Sequence, residues 1–183
     1  LTAWDLFNRT VTGSVKLVKN NVGTINKVYV PKYIFLLSKS FVFLFKYIIS
    51  FIVTIALMIF FQVPVTWQVL NFPLVLLCLY TVAFGAGTIL LHFGVFVEDL
   101  SNITNILFRL FYAISTRIPK PFSTIMLICN PVAFCINQFR KIFINGVAPN
   151  YIGLLLWFLM GCALTAIGVK LIHKYESSYA KVV

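Results

Sequence analysis

Residues 47–97 run for fifty-one positions without a Lys, Arg, Asp or Glu. A helix needs roughly 20 apolar residues to cross a bilayer, so this run predicts two crossings, over residues 47–65 and 69–93, joined by a turn at "VPVTWQ". After the acidic loop "VFVEDLSN" the apolar pattern resumes and predicts a third crossing over 103–118. A fourth spans 151–169 and leads into the polar tail 170–183, "KLIHKYESSYAKVV". Residues 1–14 read as the end of a further transmembrane helix, with Trp4 suited to the membrane interface and Gly13 as the terminator.

Between that helix end and the first complete crossing the periodicity changes. At 100° per residue Val15, Val18, Val22, Ile25 and Tyr29 share a sector about 80° wide, while Lys16, Asn20 and Lys27 point elsewhere. Residues 15–32 are therefore expected to form an amphipathic segment in the interface, broken near Gly23. Pro31 disfavours helix at Val30 and suits the first turn of the helix that follows. That helix opens on a basic stretch holding Lys32, Lys39 and Lys46. Lys39, Lys46, Ser50 and Thr54 share one face, which fits two readings: part of a hydrated path, or lysines reaching the interface with hydroxyls bonded to their own helix.

The third predicted crossing carries the most deliberate polar placement. Asn102, Asn105, Arg109, Tyr112 and Thr116 fall within an arc of about 80°, with Ile103, Leu107, Leu110, Phe111 and Ile114 opposite. An arginine at that depth costs several kcal/mol unless it is paired or hydrated. Arg109 therefore either pairs structurally, for instance with Glu98 or Asp99 of a neighbouring copy, or lines a path for a polar or anionic substrate. In residues 119–149 the apolar stretch "PFSTIMLICNPVAFCINQF" is interrupted by Pro131, and neither half is long enough to cross. Two half-helices dipping back from the outer side satisfy this, since irregular backbone survives at membrane depth only against protein or water. An amphipathic pair resting on the outer surface is the alternative. Asn130 is placed to cap the second half, with Pro131 in its first turn. In the last crossing Gly161, Thr165 and Gly168 align as a small-residue face suited to close helix packing.

Composition agrees with a membrane protein, at 61% hydrophobic and 10% charged residues, against roughly a quarter charged in soluble domains. The net charge of +11 flanks apolar runs rather than forming a nucleic-acid surface, so nucleic acid is not an expected partner. Ten basic residues (Arg9, Lys16, Lys19, Lys27, Lys32, Lys39, Lys46, Lys170, Lys174, Lys181) lie on one predicted side against four on the other (Arg117, Lys120, Arg140, Lys141). The richer side is cytoplasmic by the positive-inside rule. Cys78, Cys129, Cys135 and Cys162 lie in apolar segments without metal-ligand spacing and are expected to be buried free thiols, with no metal site. Only four carboxylates and two histidines, His92 and His173, are present, and they form no acid/base constellation, so an enzyme is not expected. The chain opens on "LTAWDLF" with no signal-peptide pattern and reads as a piece of a longer protein.

Four segments together resemble the membrane subunit of a type-2 ABC exporter, in the branch that exports teichoic acids, O-antigens and similar polysaccharides. "INKVYVPKYIFLLS" resembles that family's loop, "GVFVEDLSNI" its cytoplasmic turn, "LICNPVAFCINQFRKIFING" its extracellular gate segment and "KLIHKYESSYAKVV" its basic aromatic tail. Glu98 departs from the arginine common before the aspartate of that turn.

The resemblance implies an all-α fold: a polytopic transmembrane helical bundle with an amphipathic cytoplasmic coupling segment and outer re-entrant half-helices. It implies that Ile25, Asn26, Lys27, Val28, Tyr29, Val30 and Pro31 dock on an ATPase, and that the helix carrying Asn102, Asn105, Arg109, Tyr112 and Thr116 lines the translocation path. Asn130, Pro131 and Arg140 would belong to the outer gate. The implied partners are a separate ABC ATPase subunit, a second copy of the permease in a homodimer, a lipid-linked glycan and membrane lipid, in a bacterial cytoplasmic (inner) membrane. ATP and Mg would sit on the partner subunit; no G-x-x-x-x-G-K-(S/T) loop occurs in this chain, which is expected to bind no cofactor itself. The part absent from this sequence would be an amphipathic helix, the first crossing and much of the second. Two alternatives remain: export of a lipid, drug or peptide by the same machinery, and a non-transporting scaffold whose basic loop binds anionic lipid or a soluble protein.

Overall fold

The computed structural model describes residues 2–21, 23, 31–62, 66–97, 99–117 and 130–175, with the backbone alone at Lys19, Lys32 and residues 109–117. The described residues form seven α-helices in order: α1 Thr2–Val15, α2 Leu17–Asn20, α3 Lys32–Phe60, α4 Phe72–Phe96, α5 Leu100–Arg117, α6 Pro131–Arg140 and α7 Tyr151–Lys174. A 3-10 turn, Trp67–Asn71, precedes α4, and a π turn, Lys141–Asn145, follows α6. The described residues contain no strand, so the fold is all-α.

Among the described residues three stretches are long and apolar enough to cross a membrane: Tyr33–Phe60, Trp67–Phe96 and Tyr151–Lys174. This is a multi-pass membrane protein. Helix α5, the expected third crossing, is not among the three, because Asn102, Asn105, Arg109 and Arg117 dilute its apolar run. The basic stretch and the first crossing form one 29-residue helix, with no cap or break between Lys39 and Tyr47 to separate them. Helix α7 likewise runs past the expected end at 169 to Lys174.

Helix α4 is the centre of the bundle: 61% of its most apolar stretch is buried, against 6% for α3 and 17% for α7. Its largest interface is with α7, and glycine makes that approach possible. A Cβ on Gly85 would lie 2.8 Å from the Gly161 carbonyl oxygen, and one on Gly161 2.9 Å from the Val82 nitrogen. One on Gly168 would collide with Thr88. The predicted small-residue face of the last crossing is thus the seam against α4.

Four buried hydroxyls inside the bundle are satisfied within their own helices, whereas the buried side-chain oxygen of Asn8 on α1 has no hydrogen-bond partner among the described residues. The hydroxyls of Thr10, Ser14, Thr88 and Thr104 donate to the carbonyls of Leu6, Val11, Gly85 and Leu100 in their own helices, at 2.6–2.7 Å. With the donor used, each side chain packs as a small apolar group.

At one end of the bundle Leu17, Val18, Leu36, Leu91, Val95 and Ile172 form a cluster that joins α2 to the ends of α3, α4 and α7. The start of the expected interfacial segment is therefore packed on helix ends, while Lys16 and Asn20 stay exposed as its periodicity predicts. Gly13 does not terminate α1, which continues to Val15. Trp4 lies against Phe7 and Phe108. At the other end Phe51 stacks on Phe72 at 3.5 Å between ring centres, and Tyr47, Phe139 and Phe143 complete an aromatic cluster holding α6 to α3 and α4.

Candidate functional site

The second half of the expected outer gate is built as its local sequence dictates. The Asn130 side-chain oxygen accepts from the backbone N–H groups of Val132 (3.0 Å) and Ala133 (3.3 Å), capping α6, and Pro131 occupies the first turn. Val132, Phe134, Cys135, Gln138 and Phe139 face the core, and Arg140 is exposed at the far end. Gln138, 2% exposed, accepts from the Asn150 N–H at 2.9 Å, and Asn150 in turn caps α7 through the Gly153 N–H. The chain reverses at Gly146, in the left-handed region at φ 59° and tight against Thr66. The Tyr151 hydroxyl donates to Asn71 at 3.3 Å. These contacts tie α6, the following loop, α7 and the turn before α4 into one end wall. Replacing Asn130 by Ala is expected to lower stability by about 1 kcal/mol, the usual value of an N-cap, read as a fall in thermal midpoint of the detergent-solubilised protein; an unchanged midpoint would show that the cap contributes nothing.

The first half of the expected re-entrant pair, residues 118–129, lies outside the described residues, as do Ile25, Asn26, Lys27, Val28, Tyr29 and Val30 of the basic loop. Pro31 is described: extended at φ −54° and ψ 128°, it directly precedes α3.

On α5 the face against α1 is Ser101, Thr104 and Phe108; the first two are buried and Phe108 lies 5.3 Å from the Phe7 ring. The predicted polar stripe is offset from that face by roughly a quarter-turn. Asn102 is exposed beside Asp99, and Asn105 is half-buried. The side chains of Arg109, Tyr112 and Thr116 lie outside the described structure, although the helical backbone continues through all three. Of the stripe, the described side chains of Asn102 and Asn105 thus lie beside the packed face of α5 and not within it.

A feature absent from the sequence reading lies between α1 and α3. Asp5 and Arg9, one helical turn apart, face Lys46 and Ser50 across a cleft of about 240 Å³, also lined by Thr2, Leu6, Phe43 and Tyr47. The same seam continues to Gly13, where a Cβ would touch the Lys39 side chain at 3.5 Å. The i, i+4 spacing of Asp5 and Arg9 was the available signal. Of the four residues expected to share a face on α3, Lys39, Lys46 and Ser50 turn toward α1, and the exposed Thr54 hydroxyl bonds its own helix at the Ser50 carbonyl.

Among the described residues no group of three or more His, Cys, Asp or Glu side chains is placed to hold a metal ion. Cys78 and Cys135 are buried, whereas Cys162 is exposed on the outer face of α7, contrary to expectation; Cys129 lies outside the described residues. His92 is buried among the rings of Phe93, Phe96 and Tyr175.

Two curated proteins of Klebsiella pneumoniae, both named O-antigen export system permease protein RfbA, are 24% and 25% identical to this chain over its whole length and 72% of their own. The resemblance to type-2 ABC export permeases is shown. No protein-family model matches the chain. Because the similarity extends from end to end, it covers the basic loop, the α5 stripe, the capped α6 and the end of α7 within one permease-like chain.

Proposed function

We propose that the chain is the permease subunit of an ATP-driven exporter that moves a lipid-linked cell-surface polysaccharide, of the O-antigen or teichoic-acid kind, across the bacterial cytoplasmic membrane. The observation that carries this is the end-to-end similarity to O-antigen export permeases. The all-α bundle with three apolar spans is the architecture such a subunit needs.

In this reading ATP and Mg are bound by a separate ATPase subunit, and Ile25 to Pro31 dock on it. The buried cluster of Leu17, Val18, Leu36 and Ile172 gives a mechanical route onward, because it joins the segment leading into that loop to the ends of three long helices. The α5 stripe is covered by a second copy of the chain, so that Asn102, Asn105, Arg109, Tyr112 and Thr116 line the path between them. A charge left against lipid is too costly to keep there, and a guanidinium facing a polar path can pair with the phosphates of a lipid-linked cargo. Asn130, Pro131 and Arg140 close the outer end.

Full-length protein purified from its own membrane is expected to bring down an ATP-binding subunit, and recovery of none would overturn the reading. In the same preparation Tyr29→Ala is expected to lower ATP-dependent export roughly tenfold or more, as loss of a buried interface aromatic does, while Lys27→Arg stays near wild type. Equal effects of the two substitutions would reduce the loop to a patch of charge.

A further inference from the structure

We propose that the cleft between α1 and α3 binds the headgroup of an anionic phospholipid, specifically a monoanionic phosphodiester. This is independent of the export reading and concerns a different helix seam from the α5 stripe.

The argument begins with depth. Lys46 lies fourteen residues before the end of α3 at Phe60, about 21 Å at 1.5 Å per residue, which is inside a hydrocarbon layer roughly 30 Å thick. Arg9 and Asp5 of α1 line the same cleft as Lys46. Among the described residues neither Arg9 nor Lys46 makes an ion pair. Cations held at such depth need an anion or water, and α3 is the least covered of the three spans.

The chemistry of the cleft then selects the ligand. Two cations against one carboxylate leave one positive charge in excess. A guanidinium on α1 and an ammonium on α3, lining one cleft, suit a phosphate, which takes charge-assisted hydrogen bonds from both. Ser50 adds a neutral donor on the α3 wall. A diester with a single negative charge neutralises the cleft, whereas a diphosphate would bring surplus charge against Asp5. Beside the cleft on α3 the exposed Val42, Ile49 and Val53 offer an apolar track for acyl chains. Lys39, one step down the seam at Gly13, extends the basic surface toward the end of the bundle where headgroups enter.

Binding of phosphatidylglycerol, with phosphatidylcholine as the zwitterionic comparison, is to be measured on the full-length protein by native mass spectrometry. Wild type is expected to prefer phosphatidylglycerol, and the double variant Arg9→Gln with Lys46→Gln to lose about tenfold in that affinity, the scale of charge-assisted hydrogen bonds. The control Lys170→Gln with Lys174→Gln keeps it. Asp5→Asn, which removes the opposing charge without touching either cation, is expected to tighten binding, and it carries the test if the double variant does not fold. Unchanged affinity in the double variant, an equal loss in the control, or weaker binding in Asp5→Asn overturns the proposal. Tighter binding of a polyprenyl diphosphate than of phosphatidylglycerol overturns the diester assignment.

Discussion

Gly168→Leu is expected to prevent α7 from seating on α4. A Cβ at Gly168 already collides with the Thr88 hydroxyl and lies 2.6 Å from the Thr88 Cβ, with the Ile89 backbone nitrogen at 3.1 Å. None of these atoms is the end of a flexible side chain that can swing aside, so the helices must separate. Separation also strains the contacts at Gly85 and Gly161 on the same seam. Overpacking a core typically costs about 1–3 kcal/mol, and a branched side chain at a backbone contact belongs at or above the upper end. At roughly 2–4 °C per kcal/mol for a chain of this size, the thermal midpoint in detergent is expected to fall by about 10 °C, or the protein to be lost to aggregation. Gly23→Ala is the control, since nothing lies within 4 Å of a Cβ there. A Gly168→Leu protein that melts with wild type would refute the packing of this seam.

The second large effect is expected at Arg109. If the α5 stripe lines the export path, Arg109→Ala in a reconstituted complex lowers transport by about 10-fold to 100-fold, the equivalent of one or two charge-assisted hydrogen bonds, with the thermal midpoint preserved. Arg109→Lys keeps the charge but loses the planar two-pronged donor, and is expected to recover only part of the rate. Tyr112→Ala follows in the same direction with a smaller loss. Full transport by both alanine variants would remove α5 from the path. A fall in thermal midpoint that accounts for the whole loss of transport would make Arg109 a structural pairing residue instead.

How much of this was legible along the chain depends on whether the deciding interaction was local. The Asn130 cap was readable because its partners are the amides two and three residues on, and the geometry of a helix start leaves little else for Asn-Pro to do. The small-residue face of Gly161, Thr165 and Gly168 was readable as a packing face, but not its partner, since Gly85 and Thr88 are far away in sequence. The packed face of α5 was not readable at all. Ser101 and Thr104 count as polar in any periodicity, yet Thr104 donates to its own helix at Leu100 and packs as an apolar group. The Asp5 and Arg9 pair escaped notice because a helix end offers too few turns for a pattern, and its importance appears only when Lys46 and Ser50 stand opposite.

The sequence by itself determined that this is an all-α membrane protein with several apolar spans. That follows from the transfer of segments between water and hydrocarbon, a property of composition over about 20 residues. Only the tertiary structure decided that α4 is the core helix, that α7 meets it along a glycine seam, that Ser101, Thr104 and Phe108 form the packed face of α5 and that Asp5, Arg9 and Lys46 line one cleft between α1 and α3. Those choices depend on which faces fit at van der Waals distance, and contact geometry between helices leaves no trace in hydropathy.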